Sequence, residues 1–114
     1  MEVNKPFHTE ILPDAFHDMT EIISTFLMLG SKNGAVRIND KFTKAVELIS
    51  EQPYCGVTVS DDKLARSGYR MIIIEKYLVF YRVFEDENKV IIYRVLNGKM
   101  NYPTLLSRME RESE

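Results

Sequence analysis

The chain has 114 residues, 45% hydrophobic and 28% charged, which fits one packed domain and excludes a largely disordered chain. No apolar run reaches the ~18 residues of a membrane span, and Met1–Lys5 lacks the basic-then-apolar pattern of a signal peptide. A net charge of −2 excludes a global basic field for nucleic acid, and the single cysteine, Cys55, excludes an internal disulfide and fits a reducing, cytoplasmic setting.

Phe7 to Leu12 is short and partly alternating, and is expected to be an N-terminal strand. Pro13 and Asp14 mark a helix start, since proline is tolerated in the first turn and an acid suits the positive helix end. Phe16, Met19, Ile22, Ile23 and Phe26 recur at helical spacing up to Gly30. "GSKNG", Gly30 to Gly34, is expected to be a turn. Ala35, Ile38, Phe42, Ala45, Val46 and Ile49 then line one face of a second helix, which Pro53 stops. Two such helices form an antiparallel hairpin.

After "PYCG" the hydrophobic period changes from helical to alternating. Val57–Val59 is expected to be a short strand and "DDKLARSG" a polar connection. Tyr69–Ile74, Tyr77–Phe84 and Val90–Leu96 are expected strands, separated by "EK" and by the loop "EDENK". Short loops imply antiparallel neighbours. The expected fold is α+β: an N-terminal strand and an α-helical hairpin packed on one face of a roughly four-stranded antiparallel sheet. It occupies residues 1–106, with a polar, solvated tail over 107–114.

Arg82 and Arg94 each sit inside an otherwise apolar strand. With a five-residue loop, Phe80 faces Arg94 and Arg82 faces Ile92. Leu78, Phe80, Arg82, Phe84, Val90, Ile92, Arg94 and Leu96 then share one face, and the arginines are diagonal neighbours. A four-residue loop shifts the register by one and separates the arginines. On the bland reading both are solvated, with their stems covering neighbours. On the other, Leu78, Phe80, Arg82, Arg94 and Leu96 form an arginine-bearing apolar surface that meets a partner. Charge placement suits an anionic partner there. Residues 63–99 carry eight Lys/Arg against four Asp/Glu, a net +4, whereas residues 1–62 carry five against ten, a net −5.

Other chemistry is sparse. His8 and His17 are far apart, no cluster has ligand spacing, and no metal or cofactor is expected. Cys55 has no nearby histidine in sequence and is expected to be structural rather than nucleophilic. Met19 and Met71 are expected core filler. Gly56, Gly68 and Gly98 form no phosphate loop, because the required Gly-Lys-Ser/Thr ending is missing.

The chain resembles the RelE/ParE superfamily of type II toxin–antitoxin toxins. The resemblance covers nearly the whole chain. It lies in the Pro13-x-Ala15 helix start, the helical hairpin, the "EQP" ending at Glu51–Pro53, and "YLVFYRVFEDENKVIIYRVLNGKMNYPTLL" from Tyr77 to Leu106. The last is similar to the family's tyrosine-ending strand, acidic turn, second strand, basic segment and closing Leu-Leu. The resemblance implies a growth inhibitor, of the kind that stabilises plasmids, held silent in a hetero-oligomer with a cognate antitoxin. Its target would be DNA gyrase or ribosome-bound mRNA. An mRNA-cleaving member would be a metal-independent endoribonuclease using basic residues on the open sheet face. Arg70, Arg82, Arg94, Lys99 and Tyr102 are the candidates for that chemistry. The chain departs from the nuclease pattern, however. Leu78 stands where nucleases often carry arginine. Asn97-Gly98-Lys99-Met100-Asn101 stands where imidazole and further basic groups are usual. The remaining set holds phosphate better than it transfers protons, which favours the gyrase-directed branch over the mRNA endonuclease. A toxin-like fold that has lost toxicity and only binds a partner is the third reading.

Overall fold

The structure, a computed structural model, describes residues 6–106. The tail from 107 and the first five residues lie outside the described residues. Strand β1 (His8–Ile11) leads into α1 (Pro13–Met28) and α2 (Lys32–Glu51). Then come β2 (Val57–Thr58), α3 (Asp62–Arg66), β3 (Arg70–Ile74), β4 (Tyr77–Phe84) and β5 (Lys89–Asn97). Residues 102–106 are again helical. Among the described residues, no helix is long and apolar enough to cross a membrane.

Proline at the first helical position starts α1 directly after the extended Leu12, with Asp14 in the first turn. The turn between the helices is tighter than "GSKNG" suggests. Gly30 takes φ +78°, and Ser31 caps α2 by accepting from the Gly34 N–H at 3.1 Å. Lys32 to Gly34 are therefore helical. Gly34 lets the helices close, since a Cβ there would fall 2.6 Å from Phe26.

The sheet has five strands in the order β1-β5-β4-β3-β2. β2, β3, β4 and β5 pair antiparallel in sequence, as the short loops require, but β1 runs parallel to β5. That strand reaches the sheet only through the helical hairpin, so the short-loop rule never constrained its direction. The hairpin covers one face. Its core joins Ile38, Phe42 and Ile49 of α2 to Tyr77, Val79, Tyr81, Val90, Ile92 and Val95 of the sheet. Burying that apolar surface is the main force holding the helical layer down.

The opposite face is not bare. A second core joins Val59, Leu64, Tyr69, Phe80, Leu96 and Leu106. The expected polar connection "DDKLARSG" thus contains α3, capped by Asp61 accepting from the Leu64 N–H at 2.9 Å and anchored by a fully buried Leu64. Gly68, at φ +90°, ends it.

Both loop registers between β4 and β5 occur, one on each side of a bulge. The tip is a 3-10 turn, Glu85–Glu87, closed by Asn88 at φ 51°, and pairs Phe84 with Lys89. A register shift between Phe80 and Tyr81 leaves Tyr93 as the extra residue, so Tyr81 faces Ile92 while Phe80 faces Arg94. Val90 and Ile92 therefore turn into the helix-covered core. Tyr93 turns to the other face, where its ring meets that of Tyr69 at 5.1 Å.

Candidate functional site

The two arginines are held in different ways. Arg94 reaches α1, where Asp18 accepts from its Nε at 2.7 Å and its Nη2 at 2.9 Å. Asp18 Oδ2 also accepts the Val95 N–H at 3.0 Å. β1 pairs with β5 only as far as Ile92, so this carboxylate satisfies strand backbone that has no partner strand there. The pair is bidentate and Asp18 is only 8% exposed. The bond to Asp18 raises the Arg94 pKa above its ordinary value, against the lowering effect of burial. Sequence patterning missed this role of Asp18, although its place on the apolar face of α1, between Ala15 and Ile22, was a signal.

Arg82 stays on the second face, half-buried among aromatic rings. Its guanidinium carbon lies 5.0 Å from the Phe84 ring centre, 5.4 Å from Tyr69 and 5.9 Å from Tyr93. Among the described residues its one hydrogen bond runs from Nη1 to the Tyr93 hydroxyl at 3.4 Å. No carboxylate of the described residues pairs with it.

The other candidates have structural partners or stand exposed. Arg70 donates from Nε to the Gly56 carbonyl and from Nη2 to the Tyr54 carbonyl, each at 3.1 Å, and so clamps the loop before β2. The Tyr81 hydroxyl secures the same loop by accepting from the Gly56 N–H and donating to the Pro53 carbonyl, each at 2.8 Å. Burial raises the Tyr81 pKa. Lys99 is exposed, and its backbone N–H donates to Asn97 Oδ1 at 3.0 Å. Tyr102 stacks its ring on Phe80 at 5.0 Å and shares a 3.3 Å hydrogen bond with Ser60. The expected set of four cations and Tyr102 is therefore not gathered into one site.

The expected apolar patch is also corrected. Phe80 is 0% and Leu96 2% exposed, because α3 and residues 102–106 fold over them, and Leu78 is half-buried. Of that patch, Arg82 is left as the group without a counter-charge among the described residues. Neither histidine is on this face: His8 belongs to β1, and His17 on α1 pairs with Glu21 at 3.2 Å. Among the described residues no group of three or more His, Cys, Asp or Glu is placed to hold a metal ion.

Known proteins provide an independent comparison. Residues 10–102 match the family described as the ParE toxin of the type II toxin–antitoxin system parDE. No curated protein sequence matches the chain. In fold, the chain is similar to a structure of the chromosomal ParDE system from P. aeruginosa. The TM-score is 0.65 at 15% identity, over 80% of this chain and 95% of that one. It is similar to the toxin–antitoxin complex RelBE2 from Mycobacterium tuberculosis, with TM-score 0.60 at 17% identity, over 85% and 97% of the two chains. The isolated E. coli RelE toxin gives 0.52 at 14% identity, over 90% and 98%.

Proposed function

The chain belongs to the ParE toxin family of type II toxin–antitoxin systems, and from that premise we propose that it arrests growth by a gyrase-directed route and is silenced by a cognate antitoxin. The family match carries the reading. The second face supports it. Its described polar groups include a half-buried guanidinium, tyrosines and exposed lysine and arginine, with no imidazole among them. Cleavage of RNA needs a group that moves a proton near neutrality or is strongly perturbed towards it. Inhibition by binding needs only shape and charge.

The test has two parts. Induction of the full chain in bacteria is expected to arrest growth, and co-expression of the antitoxin to relieve the arrest. Purified chain is then added to gyrase with plasmid DNA and, separately, to translating ribosomes. Loss of supercoiling with intact mRNA is the expected result. Codon-dependent mRNA cuts with normal supercoiling would overturn the gyrase route in favour of a RelE-like endonuclease. No arrest and no effect in either assay would leave a non-toxic partner-binding module.

A further inference from the structure

We propose that Arg82 is a receptor for a single carboxylate side chain of the antitoxin, with Phe84, Tyr69 and Tyr93 as the walls of the receptor. The proposal rests on the toxin reading above and names the chemistry of one contact within it. Three arginines project from β3, β4 and β5, and two of them use both Nε and Nη2 in short hydrogen bonds. Arg94 meets a carboxylate through two nitrogens and Arg70 meets two backbone carbonyls. Arg82 has only the long 3.4 Å bond from Nη1 to Tyr93, and its Nε and Nη2 have no acceptor among the described residues. A half-buried guanidinium with unfilled donors is costly unless something offsets it. The three rings offset part of that cost through cation–π attraction. They also hold the guanidinium in place, so a ligand loses little extra side-chain entropy on binding.

Gly68, at φ +90°, borders the Nε side without crowding it, since even an added Cβ there would come no closer than 3.9 Å to Nε. Adjacent in-plane donors suit a planar oxyanion taken by two parallel hydrogen bonds. Two features favour an isolated carboxylate over a nucleic-acid backbone. The rings around the site are apolar and suit the flanks of a protein segment. Phe84 also runs directly into Glu85, Asp86 and Glu87, all exposed at the tip. A strand of successive phosphates crossing the site meets that acidic tip, whereas one carboxylate on an otherwise uncharged segment adds no further like charge.

The experiment follows the Arg82 side-chain Nε–Hε resonance in the 15N-labelled full chain, assigned by its loss in Arg82→Lys. The probes are N-acetylglutamate N-methylamide, its glutamine analogue, dimethyl phosphate and hexauridylate. The expected result is a saturable shift with the glutamate probe, none with the glutamine analogue, and hexauridylate binding no tighter than dimethyl phosphate. Tyr93→Phe, which keeps the ring wall, is expected to retain the shift, and the backbone amide spectrum shows that each variant is folded. An Arg82 resonance unmoved by every probe would overturn the proposal while leaving growth arrest, and hence the toxin reading, intact. Hexauridylate binding more than about tenfold tighter than dimethyl phosphate, and lost in Arg82→Lys, would overturn it in favour of RNA. If wild-type induction fails to arrest growth, the toxin reading falls regardless of the titration.

Discussion

Replacing Asp18 with alanine removes three hydrogen bonds at once, two from Arg94 and one from the Val95 N–H. The side chains of the pair are 20% and 9% exposed for Arg94 and Asp18, so neither end is rehydrated freely after the cut. Breaking a buried pair from one side costs about 3–5 kcal/mol. Arg94 sits towards the wetter limit, which places Asp18→Ala near the low end, at about 3 kcal/mol. For a domain of this size that is a fall of roughly 10 °C in melting temperature. Asp18→Asn keeps one acceptor, for the Val95 N–H and Arg94 Nε, but loses the charge and sets its amide NH2 against the Arg94 Nη2 donor. It is expected to cost less than Asp18→Ala, since the bond to the Val95 N–H survives. Urea unfolding followed by circular dichroism measures both, and Arg94→Met with Asp18→Ala completes a double-mutant cycle. If Asp18→Ala stays within about 0.5 kcal/mol of the wild type, the pair is a surface decoration and the argument that it closes the β5 edge is wrong.

Two further outcomes follow from the same contacts. Tyr81→Phe strands a buried Gly56 N–H and frees the Pro53 carbonyl, so it is expected to cost about 2 kcal/mol and to speed proteolysis within residues 53–58, read by limited digestion. Arg37 and then Lys41 lower the pKa of Glu75 below its ordinary value, so its stabilising contribution is complete above the unfolded-state pKa and is lost as pH falls through the lowered folded one. Glu75→Gln is therefore expected to flatten the acid limb of a stability–pH curve, an effect that salt weakens; an unchanged limb means the three side chains are not coupled.

What the sequence makes legible is whatever depends on period and punctuation. The switch from helical to alternating spacing at Pro53, and the bounds of Tyr77–Phe84, follow from side-chain patterns that burial must obey. The direction of β1 does not, because a long helical connection permits either direction. The bulge at Tyr93 is equally hidden. "KVIIYRVLN" carries no glycine or other sign of where an extra residue sits, and one extra residue exchanges the faces of everything on its far side. The roles of Arg70 and Tyr81 escape for a different reason. Their partners are backbone carbonyls and an amide, which no residue type announces.

The bulge also fixes where Arg94 stands. Extending the tip register unbroken would pair Phe80 with Tyr93 and carry every later residue of β5 to the opposite face. Val95, now in the helix-covered core, would then exchange faces with Leu96, now in the second core. Arg94 would lose its position opposite Phe80, from which it meets Asp18. With the extra residue, Arg94 is used to fasten the helical layer to the sheet, and its charge is neutralised within the chain. Tyr93 lies on the second face in either register, and there its ring and hydroxyl hold Arg82 without neutralising it. A charge already paired offers a partner little, because any new bond must replace the old one. The two arginines of the β4–β5 pair thus end differently: the charge of Arg94 is met by Asp18, while Arg82 has no carboxylate partner among the described residues.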